Sequence, residues 1–254
     1  EGNKEKNFNV KLSMKEKISY AGGDTACNIV FAMTSTLLTL FYTDYIGVNP
    51  ATIGMVMLIS RVFDGGSDVI MGIITEHTHS KYGKARPWVL WMAVPYAVSG
   101  ILLFTIPAGA SQMVKTIYIF VTYNLVTTII YTALNLPYGT LASLMTRDQN
   151  ERAVTNVLRM ALSPIGRILA TSCMLPLVSF FGNDQRAWVI TSAIFCILAM
   201  ILLFICFFNT EERVHIEAAD QMEVPVKDGL LALVHNKYWF MSRHYGEFYL
   251  FIQQ

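Results

Sequence analysis

Charge is scarce in this chain. Only 15% of its 254 residues are Asp, Glu, Lys or Arg, against about 25% in an ordinary soluble domain. The hydrophobic fraction is 54% and the mean hydropathy +0.43. That balance excludes a water-soluble globular fold and indicates an all-α polytopic membrane protein. The two signs nearly cancel, to a formal +1, and no basic block with interleaved aromatics occurs, which excludes a nucleic-acid partner. Cysteine is sparse as well. Cys27, Cys173, Cys196 and Cys206 lie in apolar runs without CxxC spacing, so all four are expected as small core residues, not disulfides or metal ligands. His77 and His79 are flanked by hydrophilic residues and read as a solvated loop rather than a metal site. No nucleophile, catalytic His or metal-ligand set stands at membrane depth. That argues against an intramembrane enzyme, even with Asp64 and Asp68 available as a dyad. A cleavable signal peptide is not expected, because the first apolar run is too long for its core.

Long apolar runs are what the chain does have. They cover about residues 18–45, 51–74, 88–106, 117–141, 153–181 and 187–208, each near the roughly 20 residues that cross a bilayer as a helix. The expected organisation is a lysine-rich cytoplasmic N-terminus over 1–17, a six-helix bundle over 18–208, and a cytoplasmic linker over 209–254. Within that linker, residues 226–240 could form an amphipathic surface helix, with Leu230, Leu231, Leu233 and Val234 on one side. Lys and Arg gather in the N-terminus and after the second, fourth and sixth runs. This distribution orients both termini to the cytoplasm.

The second run carries Arg61-Val62-Phe63-Asp64-Gly65-Gly66-Ser67-Asp68. On a helix of about 3.6 residues per turn, Asp64 and Asp68 share a face and Arg61 lies one turn before Asp64. Each such charge at membrane depth costs about 3 kcal/mol on insertion scales, and persists when it faces a bundle interior or an ion or substrate path. The bland alternative is an Arg–Asp bridge that locks two helices, which leaves the second acid unexplained. Elsewhere the first run opens with Gly22-Gly23-Asp24, whose glycines permit close helix approach. Asp24 is either an interfacial acid or a cavity group. In the fourth run Tyr131 and Asn135 share a face, and Pro137 frees a backbone carbonyl that Thr132 or Asn135 could satisfy. Arg159 and Arg167 lie eight apart in the fifth run, and their spacing leaves open which one points inward. The polar residues come from four runs and could converge on one midplane cavity, a transporter pattern.

These motifs together resemble the N-terminal half of the glycoside-pentoside-hexuronide:cation symporters, the melibiose-permease-like branch of the major facilitator superfamily. The anchors are Gly23-Asp24, Arg61 to Asp64 with Asp68-Val69-Ile70-Met71-Gly72, Gly83-Lys84-Ala85-Arg86-Pro87-Trp88, the stretch from Tyr131 to Tyr138, and Asn150-Glu151-Arg152 with Arg159. The resemblance spans about residues 15–236. It implies a multi-pass protein of the bacterial cytoplasmic membrane, six helices forming half of a two-repeat fold, and secondary active symport of a sugar or glycoside (pentoside, glucuronide or galactoside) with sodium or a proton. It implies no cofactor beyond the coupling ion. Asp64 and Asp68 match the paired cation-site carboxylates, with Ser67, Thr132 and Asn135 as neighbouring oxygen donors. Asp24, Tyr131, Asn135 and Arg159 match the sugar-binding positions. Arg61, Lys84 and Arg86 match structural or gating positions.

Two departures stand out. Asn135 occupies the place of a third acid in melibiose permease, which shifts the balance from sodium toward protons, and Gly139 replaces a Trp near its sugar. The chain stops where the second repeat is expected, and residues from about 242 do not resemble a seventh helix. The expected partners are therefore the sugar, the cation, the bilayer, and a missing C-terminal half or a second protomer. The competing reading is a six-helix membrane binding or assembly module that does not transport.

Overall fold

Ser13 starts the first helix. Its Oγ accepts the Glu16 backbone N–H at 3.2 Å and the Glu16 carboxylate accepts the Ser13 N–H at 3.1 Å, a reciprocal cap that satisfies two backbone donors. In the computed structural model, which describes residues 10–107 and 109–214, this helix α1 runs Met14–Tyr45. Asn49 and Pro50 begin α2, Pro50–Glu76, Pro being suited to a first turn that needs no N–H partner. Then follow α3, Arg86–Leu102; α4, Gln112–Met145; α5, Gln149–Phe180; and α6, Gln185–Asn209. The described residues thus fold as an all-α bundle of six helical stretches, in the order of the six apolar runs.

Several boundaries differ from expectation for one reason. Ser13, Ser111, Asp148 and Asp184 accept backbone N–H groups at the starts of α1, α4, α5 and α6. Each helix therefore begins with a polar turn ahead of its apolar run. The stretch 146–155, which covers most of the gap between the fourth and fifth apolar runs, is mostly the first turns of α5, capped by Asp148 on Asn150 N at 2.8 Å. The bundle opens at Met14 rather than residue 18. Residues 226–240 and 242–254, expected as a surface helix and an atypical tail, lie outside the described residues.

Four helices, α1, α4, α5 and α6, are long and apolar enough to cross a membrane by length and composition. The other two differ in kind. α2 has 27 residues, about 40 Å at 1.5 Å per residue, with Arg61, Asp64 and Asp68 in its middle. α3 has 17, the short end of the spanning range of about 17–25. Both α1 and α4 change pitch within the bundle. α1 widens to π-helix at Met33–Leu37 and Phe41–Tyr45, and α4 at Leu125–Tyr131.

α1 is the central element, packed on α5 and α6; α3 packs on α6 and α4, and α2 on α4. Close approach depends on small residues. A Cβ on Gly23 would come within 2.6 Å of the Tyr138 ring, whereas Gly22 has ordinary space. A Cβ on Gly166 of α5 would collide with the Thr25 carbonyl of α1. Tyr20 and Tyr138 stack at 4.7 Å, and each hydroxyl donates to the other's carbonyl. Cys27, Cys196 and Cys206 are buried as expected, but Cys173 is exposed, because it lies on a face of α5 that the described bundle leaves uncovered.

One end of the bundle holds both ends of the described chain. Arg213 pairs with Glu16 at 2.7 Å, Lys17 with Glu151 at 2.7 Å, and the Arg213 and Val214 N–H groups donate to Leu144 O at 2.9 Å. Glu212, just after α6, reaches back to the loop before α3. Its carboxylate accepts the N–H groups of Lys84, Ala85 and Arg86 at 2.9, 2.8 and 2.5 Å, donors that a helix start leaves free. Gly83, at φ +106°, makes room for that carboxylate, and the Arg86 Nε donates to Phe207 O at 3.0 Å.

Candidate functional site

Asp64 and Asp68 lie one turn apart near the middle of α2. Opposite them on α4 are Thr128 and Thr132, also one turn apart. Thr128 Oγ1 donates to Asp64 Oδ1 at 2.6 Å, and Thr132 Oγ1 to Asp68 Oδ1 at 3.2 Å. Both pairs are 64 residues apart, so α2 and α4 run parallel in fixed register and present a two-rung ladder of carboxylate and hydroxyl. Asn124 Oδ1 lies 3.3 Å from Thr128 Oγ1, which extends the ladder by one turn. Ser67 donates to the Asp64 carbonyl at 2.9 Å and lies 3.4 Å from Thr132 Oγ1.

Arg61 is less engaged. Its Nη1 is 4.0 Å from Asp64 Oδ2 and its side chain is 74% exposed, a geometry worth at most about 1 kcal/mol. The pair sits within a single helix, so it does not lock two helices together. Both acids and Arg61 face a cavity of about 310 Å³, at the lower end of small-molecule sites. Phe31, Thr34 and Ser35 of α1, Tyr96 of α3, and Tyr123, Thr127, Tyr131 and Thr132 of α4 complete most of its wall. Thr34, Ser35, Thr127 and Tyr131 all belong to the π-helical turns, where the altered pitch turns extra side chains inward.

The remaining expected site residues separate into groups. Tyr131 is in the cavity wall. Asp24 is half-buried and off that wall, within electrostatic reach of Tyr131 and Cys27. Arg159 is half-buried, acts on Tyr20, and has a buried Nε with no hydrogen-bond partner among the described residues. Asn135 is half-buried, one turn beyond Tyr131, and is not in the wall. Lys84 and Arg86 stand at the Glu212 clasp, in the loop after α2 and at the start of α3, and are not in the wall. The Pro137 question resolves toward the cavity for Thr132, whose hydroxyl goes to Asp68 rather than to a freed carbonyl.

Sequence reasoning missed Thr128, the shortest hydroxyl contact to either acid. The fixed offset of 64 would have exposed it once Thr132 was set against Asp68. It also left Arg167 unassigned. That guanidinium lies 5.5 Å over the Phe31 ring, beside the cavity wall. Between the two arginines, Asn28 Nδ2 donates to Ser163 Oγ at 2.7 Å and Thr25 Oγ1 to Leu162 O at 3.1 Å, which fixes α5 against α1. A half-buried cavity lined by two carboxylates, hydroxyls and aromatic rings can bind a small cation and a polyhydroxylated molecule side by side.

A family model described as MFS/sugar transport protein matches residues 19–242. Curated relatives agree with it. The isoprimeverose transporter of Lactiplantibacillus pentosus is 35% identical over 88% of this chain and 47% of its own length. A putative glycoside/cation symporter of Escherichia coli is 36% identical over 90% of this chain and 49% of its own. The Escherichia coli glucuronide carrier protein homolog is 31% identical, over 82% and 46%. The chain spans about half the length of the curated relatives it matches. The family and these relatives are transporters, not enzymes. This chain therefore belongs to the MFS/sugar transport protein family, as a multi-pass all-α membrane protein.

Proposed function

We propose that this chain is the first half of a cation-coupled sugar symporter, holding the cation between α2 and α4 and the sugar against α1, α4 and α5. One observation carries the reading: Asp64 and Asp68 stand in the wall of a small-molecule-sized cavity, each held by a threonine of α4, Thr128 and Thr132. Charged pairs at that depth are costly unless a path runs through them. The relatives' names, a glycoside/cation symporter and an isoprimeverose transporter, support the substrate class. The partner is a second six-helix half, a separate C-terminal half or a second protomer, because alternating access is a rocking of two halves about a shared site.

Protons serve as coupling ion at least as well as sodium. Sodium needs several oxygens converging at fitted distances, whereas a proton needs one carboxylate oxygen. Here both threonine hydroxyls already donate to the acids, and Asn135 brings no charge. The test is labelled-sugar uptake by the transporter completed with its second half, in vesicles, first under a pH gradient without sodium, then under a sodium gradient at clamped pH. Accumulation under the pH gradient alone is the expected result. Accumulation driven only by sodium overturns the proton assignment, and accumulation under neither overturns symport.

Both termini face the cytoplasm in this reading. The loops at the Glu16–Arg213 end carry Lys81, Lys84, Arg147 and Arg213, while the opposite end has Lys115 and Arg186, the bias that sets orientation. In a background without the four native cysteines, Asn49→Cys should react with an impermeant thiol reagent added outside, and Ser80→Cys should not. The reverse pattern refutes the orientation.

A further inference from the structure

Thr128 has one hydroxyl hydrogen and two acceptors within reach. Its Oγ1 lies 2.6 Å from Asp64 Oδ1 on α2 and 3.3 Å from Asn124 Oδ1, one turn earlier on α4. The Asn124 amide is held in one sense: its Nδ2 donates to Phe120 O at 2.7 Å, so the oxygen is the atom presented to Thr128. A hydroxyl donates a single hydrogen and accepts through its lone pairs. Thr128 therefore serves Asp64 or Asn124 at any moment, not both. Other helical threonines have no such choice. Thr34, Thr75, Thr122 and Thr127 each donate to the carbonyl four residues back in their own helix, at 2.8, 2.8, 2.8 and 2.9 Å. Thr128 is buried in the π-helical turn Leu125–Tyr131, and both of its contacts are to side chains.

The charge on Asp64 decides which acceptor wins. A hydrogen bond to an ionised carboxylate is about twice as strong as one between neutral groups, so Asp64 holds the hydrogen, in keeping with its shorter distance. Arg61 does not compete for that oxygen, since it stands 4.0 Å from the other one, Oδ2. A cation at Asp64 reverses the order. It offsets the carboxylate charge, it repels the hydroxyl hydrogen, and it is coordinated through oxygen lone pairs. The neutral Asn124 Oδ1 is then the better acceptor.

We propose that Asn124 is a positioning residue for the coupling ion: it takes the Thr128 hydrogen when a cation occupies Asp64, so that the Thr128 oxygen turns a lone pair toward the ion. The inference rests on the cation-coupled reading above and adds to it a residue outside the cavity wall. The turn serves sodium and a proton alike, because each needs an oxygen lone pair opposite the carboxylate. Without Asn124 the hydrogen points at the ion or goes unpaired in a buried site.

The experiment measures cation activation of uptake by the transporter completed with its second half, in vesicles. Labelled methyl β-xyloside and methyl β-glucuronide are the probes. Sodium is titrated at clamped pH, and protons in the absence of sodium. Asn124→Leu, which removes the acceptor at similar volume, should raise the half-activating cation concentration about 5-fold or more, the cost of an unpaired buried donor. Half-saturation by sugar at saturating cation should stay at the native value. Thr128→Val should shift activation in the same direction, and the double variant should match the larger single shift, because one hydrogen links the two residues. Asn124→Asp keeps an acceptor and should need no more cation than the native protein. Half-activation does not depend on the amount of protein in the membrane, and Asn124→Ala gives the same reading if the leucine variant does not accumulate. Native cation activation without the Asn124 acceptor overturns the inference. So does a double variant whose shift is the product of the single ones, the mark of two separate structural roles. Either result leaves symport by the native protein standing. Native uptake of neither probe, or uptake that no cation activates, overturns the proposed function and this inference with it.

Discussion

Asp68→Asn should abolish uphill sugar accumulation by the complete transporter while leaving sugar exchange largely intact. The side chain keeps its shape and can still accept from Thr132, whose hydroxyl lies 3.2 Å from Asp68 Oδ1 in the native chain. What it loses is the charge. Coupling between two ligands is a difference in affinity, usually about 1–3 kcal/mol, or roughly 5- to 150-fold. Removing the carboxylate that favours the cation removes that difference, so the ratio of internal to external sugar should fall to one. Exchange needs only the sugar site to turn over and is expected to persist. Asp64→Asn should do the same, with an added loss of exchange, because Asp64 also holds Thr128 at 2.6 Å and so holds α2 against α4. Substrate accumulation and counterflow in the same vesicles separate the two effects. Uphill accumulation at the native level in both variants would show the acids to be structural.

The helical spans were legible because the bilayer criterion concerns length and apolarity, and those are properties of composition. Their starts were less so. Residues such as Ser13, Asp148 and Asp184 are polar, so a hydropathy boundary excludes them, yet they cap the helices by accepting backbone N–H groups. The cap signals were present in the sequence, and at Ser13 the Glu three residues on completed the pattern. The pairing of Asp64 with Asp68 was legible from helical period alone. Their partners were not, because they lie on another helix, and register between helices is fixed by tertiary packing. The π-helical turns that bring Thr34, Ser35 and Thr127 to the cavity had no local signature to read. The choice between Arg159 and Arg167 likewise depended on what each meets: Tyr20 for one, and Phe31 for the other. Spacing along a single helix carries no information about that.

The largest expected effect on folding comes from a glycine. Gly166 of α5 lies directly against the Thr25 carbonyl of α1, and a Cβ there would meet backbone, not the movable end of a side chain. The helices are also joined at this level by the Thr25–Leu162 and Asn28–Ser163 hydrogen bonds, so they cannot separate without losing both. Overpacking costs about 1–3 kcal/mol, and each broken hydrogen bond adds about 0.5–1.5 kcal/mol. The sum, on the order of 2–6 kcal/mol, is a large share of a net stability of about 5–15 kcal/mol. Gly166→Ala should therefore lower the detergent melting temperature by roughly 5–20 °C, taking 2–4 °C per kcal/mol, and Gly166→Leu should yield little folded protein. Gly54→Ala is the control. It lies within α2 with open space around it, and replacing a helical Gly by Ala is favourable by about 1 kcal/mol, so its melting temperature should hold or rise. The separation of the helices has a second consequence. Asp24, Phe31 and Arg167 all depend on the α1–α5 contact for their positions, so folded Gly166→Ala should bind sugar poorly, while the Asp64–Thr128 rung on the other side of the cavity is untouched. Equal melting temperatures for Gly166→Ala and Gly54→Ala would mean that α1 and α5 can slide apart freely, and that the contact does not position the site.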